Sequence, residues 1–240
     1  MEEPAIMSQQ FTLVDKALAW SVHIFTASGL LAGFMAILAI NAKNWRDAMF
    51  WLLLALVIDG VDGTFARKFK VTEVLPNMSG KTIDYVIDFA TYAIIPAYFF
   101  YMAELVMPGW NLPLTFLILL VSAIYYGKEG MVSEDYYFIG FPVLWNMVVF
   151  YLIFVLSMPY WANAAIIILF AVLHFLPIKF AYPSQASRLK TLTIIISLII
   201  LIAMPLIVWY YPNVPDWLKW IAIGNLVYFG VLAAVDTFVK

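Results

Sequence analysis

Two short acidic segments lie close together in the chain: DGVDGTFAR at residues 59–67 and, twelve residues later, GKTIDYVID at residues 80–88. On helices, aspartates three or four residues apart share one face. Each segment lies where a long apolar stretch meets a polar loop. The pattern therefore predicts that two helix ends bring four carboxylates together at the edge of a membrane. These are Asp59, Asp62, Asp84 and Asp88.

Four carboxylates in one place require a cation, because each negative charge disfavours ionisation of the others. Acidic side chains at membrane depth are costly and usually mark a functional site. Mg²⁺ and Mn²⁺ suit an all-oxygen ligand set. Zinc is not expected, since the chain has no cysteine and its two histidines lie outside both segments.

Small and basic residues beside the aspartates indicate a phosphate ligand. Gly63, Ala66 and Gly80 leave room for a ligand to approach the helix backbones, and Arg67 offers a planar fork for phosphate. Metal ions, arginine and glycines together favour a nucleotide diphosphate. The alternative is a purely structural helix junction in which Arg67 and Lys81 neutralise the carboxylates.

The whole pattern, D-x2-D-G-x2-A-R…G-x3-D-x3-D, resembles the signature of the CDP-alcohol phosphotransferases, integral membrane enzymes of phospholipid synthesis. The loop 71–80, the stretch HIFTASG at 23–29, YFIGFP at 137–142 and the pair Trp145-Asn146 are similar to the branch whose acceptor is choline. The resemblance covers residues from about 20 to 150.

The resemblance implies transfer of a phosphatidyl group from CDP-diacylglycerol to choline, with release of CMP. Asp59, Asp62 and Asp84 would hold two divalent ions. Asp88 would share that metal site and act as the general base. The predicted contacts to CDP-diacylglycerol are Gly63, Ala66, Arg67, Gly80 and Thr26. The resemblance also implies a homodimer in which the first six helices form the catalytic bundle.

Choline carries a quaternary ammonium that aromatic faces and acidic groups would recognise. The candidates lie beyond Asp88 on its helix face or near a later polar loop. They are Tyr92, Tyr136, Tyr137, Trp145, Glu129 and Asp135. The alternative is that these are interfacial aromatic residues and solvated loop acids. His23 and His174 are interpreted as packed polar residues.

Composition places the chain among polytopic membrane proteins. Of its 240 residues, 65% are hydrophobic and only 12% are charged, against about 45–50% and 25% in soluble domains. Nucleic acid is not an expected partner, because the chain has no basic stripe. We predict an all-α bundle forming one domain, 1–240. Its catalytic part covers about 11–183, and two additional spans occupy about 190–236.

Apolar runs near the 20 residues needed to cross a bilayer predict eight spans after a short interfacial helix at about 11–20. The predicted spans are 22–41, 48–65, 82–107, 112–126, 139–158, 162–178, 191–210 and 217–235. With the acidic site in the cytoplasm, ten basic residues lie inside and three outside, as the positive-inside rule requires. Both termini and the site are then expected on the cytoplasmic side of a bacterial inner membrane.

Two other functions remain open from the sequence. The same chemistry could use glycerol 3-phosphate, inositol phosphate or serine, and a phosphorylated acceptor would need a basic pocket. Lys128, Lys179, Arg188 and Lys190 could supply such a pocket. A cation transporter would use the aspartates as an ion path, but transport sites usually lie near the bilayer midplane.

Overall fold

The computed structural model describes residues 11–133, 135, 137–182 and 189–239 and is built almost entirely of helices, which confirms the predicted fold class. The helices are α1 (Leu13–Asn41), α2 (Trp45–Lys68), α3 (Val71–Val74), α4 (Gly80–Asp88), α5 (Ile95–Met102), α6 (Asn111–Tyr126), α7 (Trp145–Phe150), α8 (Tyr160–Leu173), α9 (Lys190–Tyr210) and α10 (Asp216–Phe238). A π-helical segment, π1 (Phe89–Ile94), joins α4 to α5, and a second, π2 (Tyr151–Val155), extends α7.

Within the described ranges, five helices are long and apolar enough to cross a membrane. They are α1, α2, the continuous α4–π1–α5 segment, α9 and α10. Large apolar side chains on them are exposed, including Leu31 at 70% and Ile202 at 66%, as expected for surfaces that face lipid. Three further apolar helices, 111–126, 145–155 and 160–173, are shorter, so the predicted count of eight spans is not confirmed.

The first helix is one continuous rod, and the predicted boundary between an interfacial helix and a span near residue 21 is wrong. Thr12 caps it: its hydroxyl accepts from the Asp15 amide, and its own amide donates to the Asp15 carboxylate at 2.8 Å. No Gly or Pro occurs from Leu13 to Ser28 that would end the helix. The helix therefore continues for 29 residues, to Asn41.

Glycines on α1 let the third long segment approach closely. A Cβ added to Gly29 would lie 3.2 Å from the Ile87 side chain, and one added to Gly33 would lie 2.7 Å from that of Ile95. Small residues four positions apart on a helix let a neighbouring helix approach closely. Their role is to hold α1 against α4 and α5, and so to fix the position of the aspartates on α4.

A two-stranded antiparallel sheet, which the sequence did not lead us to expect, borders two of the predicted spans. Strand β1 (Tyr137–Ile139) pairs with β2 (Lys179–Ala181), with Tyr137 opposite Ala181. The helix predicted from residue 139 begins only at Trp145, because Gly140 adopts a φ of +91° and Pro142 follows. The amide of Gly140 donates to the Ile178 carbonyl at 2.9 Å, which keeps the two segments together.

Gly140→Ala is expected to destabilise the fold by about 2 kcal/mol or more, because the new methyl group would strain a left-handed backbone and clash with a neighbour. Its Cβ would overlap the backbone carbonyl of His174, which cannot swing away as a flexible side chain could. Thermal melting of the detergent-solubilised protein measures the effect. Gly224→Ala is the control, since nothing lies within 4 Å of its added Cβ. Equal melting temperatures for both variants would contradict the prediction.

Candidate functional site

Aspartates from α2 and α4 meet beside the connection between the two helices. One carboxylate oxygen from each of Asp59, Asp84 and Asp88 lies within 4.8 Å of the other two. Such a group could hold a metal ion, and its three hard oxygen donors suit Mg²⁺ or Mn²⁺. The predicted convergence of the two acidic segments is confirmed for these three residues.

The turn between α2 and α4 brings the two segments together. Helix α2 continues for more than two turns beyond Asp59, to Lys68, so the first acidic segment lies within the helix and not at its end as predicted. Lys70 then adopts a left-handed conformation with φ +48°, and the short helix α3 follows. Ser79 caps α4 by accepting a hydrogen bond from the Thr82 amide at 3.2 Å.

Tyr92 holds one member of the group in place. Its hydroxyl donates to a carboxylate oxygen of Asp59 at 2.7 Å, and its ring is buried one turn beyond Asp88. By contrast, Oδ1 of Asp88 is buried and has no hydrogen-bond partner among the described residues. Because most buried polar atoms are paired, an unpaired carboxylate oxygen on one of the three acids is a good candidate to receive a proton or contact a ligand.

The fourth aspartate, Asp62, lies buried on α2 outside the group of three. Thr26 of α1 lies near its carboxylate, and the charge of Asp62 acts on Asp84 and Asp88. Asp62 therefore borders the site, and its role as a metal ligand stays a prediction.

The residues predicted to contact the nucleotide flank the acids on both helices. Arg67 is exposed, and its Nη2 donates to the Thr64 hydroxyl at 3.3 Å. Its Nη1 lies 3.5 Å from the position of a Cβ on Gly63, so the guanidinium folds back along its own helix. Gly80 opens α4 directly against the ring of His23. The predicted contacts to CDP-diacylglycerol stay predictions for Gly63, Ala66, Arg67, Gly80 and Thr26.

Of the other predicted choline residues that the structure describes, Trp145, Tyr137 and Asp135 already have protein partners. Trp145 is fully buried and donates to Ser122 at 2.8 Å. Tyr137 is buried with the Lys179 ammonium 5.1 Å from its ring centre. Glu129 is exposed on a loop, and Tyr136 lies outside the described residues. Their role in choline binding stays a prediction.

An ion pair fastens the small sheet. The Lys179 ammonium donates to Asp135 at 2.6 Å, and this hydrogen bond, followed by one from Ser133, holds the pKa of the Asp135 carboxyl below its usual range. The Lys179 amide donates to the Thr237 hydroxyl of α10 at 2.8 Å. Lys179 of β2 therefore connects the sheet to the loop before β1 and to α10.

Two tyrosines that sequence reasoning missed lie beside the acids. Tyr126 packs edge-on against Tyr85 and Phe89, and the charge of Asp88 acts on its hydroxyl. Tyr182, the residue after β2, stacks on Phe138. Burial raises the pKa of the Tyr182 phenol, and the nearby carboxylates of Asp59 and Asp84 raise it further. Local spacing carried no signal for either, because both positions depend on contacts between distant segments.

Comparison with known proteins identifies the family. No protein-family model matches the chain. The chain is 43% identical over 176 residues to a phosphatidylcholine synthase of Rhizobium johnstonii, covering 73% of this chain and 72% of that protein. It is 44% identical over 181 residues to one of Rhizobium meliloti, covering 75% of each. It is 37% identical over 201 residues to one of Pseudomonas aeruginosa, covering 84% of each. The chain therefore belongs to the phosphatidylcholine synthase family of membrane phosphatidyltransferases.

Proposed function

We propose that the enzyme transfers the phosphatidyl group of CDP-diacylglycerol to choline and releases CMP. The observation that carries this proposal is the meeting of Asp59, Asp84 and Asp88 on two apolar, membrane-length helices, on either side of the polar connection 69–79. A site placed there lets a lipid substrate keep its acyl chains in the bilayer while its diphosphate reaches the acids. The names of the relatives support phosphatidylcholine as the product.

Two divalent ions, Mg²⁺ or Mn²⁺, fit this set of side chains. The closest donors are Asp59, Asp84 and Asp88, with Asp62 at the border. Such ions, when bound, neutralise the diphosphate and stabilise charge on the attacking and leaving oxygens. Without a cation, three carboxylates this close would oppose one another's ionisation, which supports a metal-dependent reaction.

Asp88 is the proposed general base. In this proposal a carboxylate oxygen of Asp88 takes the proton from the choline hydroxyl, and its unpartnered Oδ1 supports that role. The choline oxygen then bonds to the phosphorus that carries diacylglycerol. The bond from that phosphorus to the bridging oxygen breaks, and the electron pair leaves with CMP. Tyr92 orients Asp59 during this step, and Arg67 contacts the diphosphate.

We further propose that the chain forms one membrane domain whose active site opens to the cytoplasm. The distribution of basic residues favours an inner-membrane enzyme with its site and both termini on the cytoplasmic side. Within one domain, 1–240, the part at about 11–183 would be catalytic and assemble as a homodimer. The contact of Lys179 with Thr237 links this part to α10, so the last two helices would steady the sheet that carries Tyr182.

The test uses purified enzyme with CDP-diacylglycerol and, in separate reactions, choline, serine, glycerol 3-phosphate or inositol phosphate. We expect phosphatidylcholine and CMP in equal amounts with choline only. Chelation of divalent ions should abolish the reaction and Mn²⁺ should restore it. Equal CMP release with another alcohol would contradict the choline assignment, and ion flux through proteoliposomes without CMP release would favour a transporter.

A further inference from the structure

A pocket separate from the acidic site lies where the ends of α1 and α5 meet the start of α6. Its volume is about 350 Å³, within the range of roughly 300–1,000 Å³ that is typical of small-molecule sites. Its lining includes Lys43, Tyr101, Glu104, Asn111 and Leu112. Tyr101 and Asp88 lie on the same continuous α4–π1–α5 segment, about 20 Å apart along its axis at a rise of about 1.5 Å per residue. The pocket is therefore near the membrane face opposite the acids.

Two opposite charges line this pocket without pairing. Lys43 and Glu104 are both exposed. Neither side chain forms an ion pair or a hydrogen bond within the described part of the chain. The pocket thus offers one positive and one negative group side by side, which complements a ligand that carries both charges.

Both charged residues lie where the backbone favours glycine. Lys43 adopts a φ of +54° and Glu104 a φ of +50°, and each lies two positions after the last residue of its helix. Glycine is the usual residue at a left-handed helix end, because a Cβ costs conformational energy there. The turns alone therefore do not explain a charged side chain at each position, and such left-handed residues often occur at ligand sites.

Asn111 adds an acceptor that the protein does not satisfy. Its Oδ1 is buried and has no hydrogen-bond partner among the described residues. Since buried polar atoms are nearly always paired, this oxygen indicates a hydrogen-bond donor on the ligand. A primary ammonium has three N–H donors and suits both Asn111 and Glu104. A quaternary ammonium has none.

The surroundings of the pocket fit a lipid headgroup. Leu112 lines the pocket and is exposed, as are Met107 and Trp110 shortly before it in the chain. Exposed tryptophan is typical of the membrane interface. No side chain caps the start of α6, so its N–H groups and the Lys43 ammonium both favour a phosphate on this side of the pocket.

We propose that this pocket binds the headgroup of a phospholipid with a primary ammonium, of the phosphatidylethanolamine type, in the leaflet opposite the acids. Lys43 and the start of α6 contact the phosphate, and Glu104 and Asn111 accept hydrogen bonds from the ammonium. The acyl chains lie on the apolar surface beside Leu112. This lipid is neither the donor nor the product of the proposed reaction, so the site goes beyond the proposed function.

The test titrates phosphatidylethanolamine into purified, full-length enzyme in detergent and counts bound lipid by native mass spectrometry. Lys43→Gln and Glu104→Gln should each weaken the Kd about tenfold, as expected for losing a hydrogen bond to a charged group. Lys219→Gln and Asp216→Asn are matched controls, because these two residues form an ion pair on α10 and do not line the pocket. The controls should keep the wild-type Kd, and all four variants should keep the wild-type kcat.

Two further lipids separate the parts of the headgroup. Phosphatidylglycerol has the phosphate without an ammonium, so its Kd should depend on Lys43 and not on Glu104. Phosphatidylcholine cannot donate to Asn111, so it should bind more weakly than phosphatidylethanolamine, and Asn111→Leu should remove that difference. Lipid that still binds to the Lys43→Gln/Glu104→Gln double variant occupies other sites and is subtracted.

An unchanged Kd for phosphatidylethanolamine in both single variants of the pocket would overturn the proposal. A loss in Lys43→Gln alone would also overturn it, because the pocket would then be a phosphate site only. Equal Kd values for phosphatidylethanolamine and phosphatidylcholine would refute the primary ammonium as the recognised group. None of these results depends on the identity of the reaction at the acidic site.

Discussion

Asp88→Asn is expected to lower kcat by about 10²- to 10⁴-fold, the range typical of losing a general base. The amide keeps the size of the side chain but cannot take the proton from choline. Its position beside Asp59 and Asp84 is retained, so binding of CDP should persist. Loss of turnover with retained nucleotide binding separates a role in proton transfer from a role in assembling the site.

Single-turnover CMP release and CDP titration measure the two quantities on the same preparation. Asp216→Asn is a matched control, because this aspartate is 87% exposed and pairs with Lys219, on the next turn of its own helix. That variant should turn over at the wild-type rate. Unchanged turnover in Asp88→Asn would remove the general-base role, and loss of CDP binding there would show that Asp88 mainly shapes the site.

Asp84→Ala is expected to reduce Mn²⁺ affinity and turnover by more than the roughly 10- to 100-fold typical of losing an outer-shell partner. Asp84 and Asp88 come from one helix and Asp59 from the other. Removing Asp84 therefore takes away one of the three proposed oxygen donors. The two remaining carboxylates cannot complete an oxygen cage for a divalent ion without more water ligands.

Electron paramagnetic resonance of Mn²⁺ titrated into purified enzyme measures that affinity directly. Asp47→Asn is the control on α2, since Asp47 is exposed in the first turn, at the opposite end of the helix from Lys68. We expect wild-type Mn²⁺ binding in the control and weak binding in Asp84→Ala. Equal affinity in both variants would show that the acidic group is not the metal site.

Local spacing was enough to predict the core of the candidate site. Asp84 and Asp88 lie one turn apart on α4, and the short connection from α2 limits how far Asp59 can lie from them. Periodicity and a brief loop are local properties, so they can be read from residue order. The helical class followed equally directly from the long apolar runs.

Features that depend on distant contacts could not be predicted in this way. The pairing of Tyr137 with Ala181 joins segments separated by three helical elements, and it brings Tyr182 near enough to the acids for their charges to act on its phenol. The pocket beside Lys43 and Glu104 is equally invisible in sequence, because helix ends that are distant in the chain form it. The continuous α1 was missed because residues 11–20, which carry polar side chains, were interpreted as a separate interfacial helix that ends before the first span.

The most direct test of a metal-dependent transferase is a structure of the enzyme with Mn²⁺ and CDP, recorded with anomalous scattering at the manganese edge. We predict manganese peaks in contact with Asp59, Asp84 and Asp88 and with the diphosphate of the nucleotide. An acidic group that stays empty at saturating Mn²⁺ and CDP, or whose carboxylates turn away from one another, would contradict the proposed chemistry.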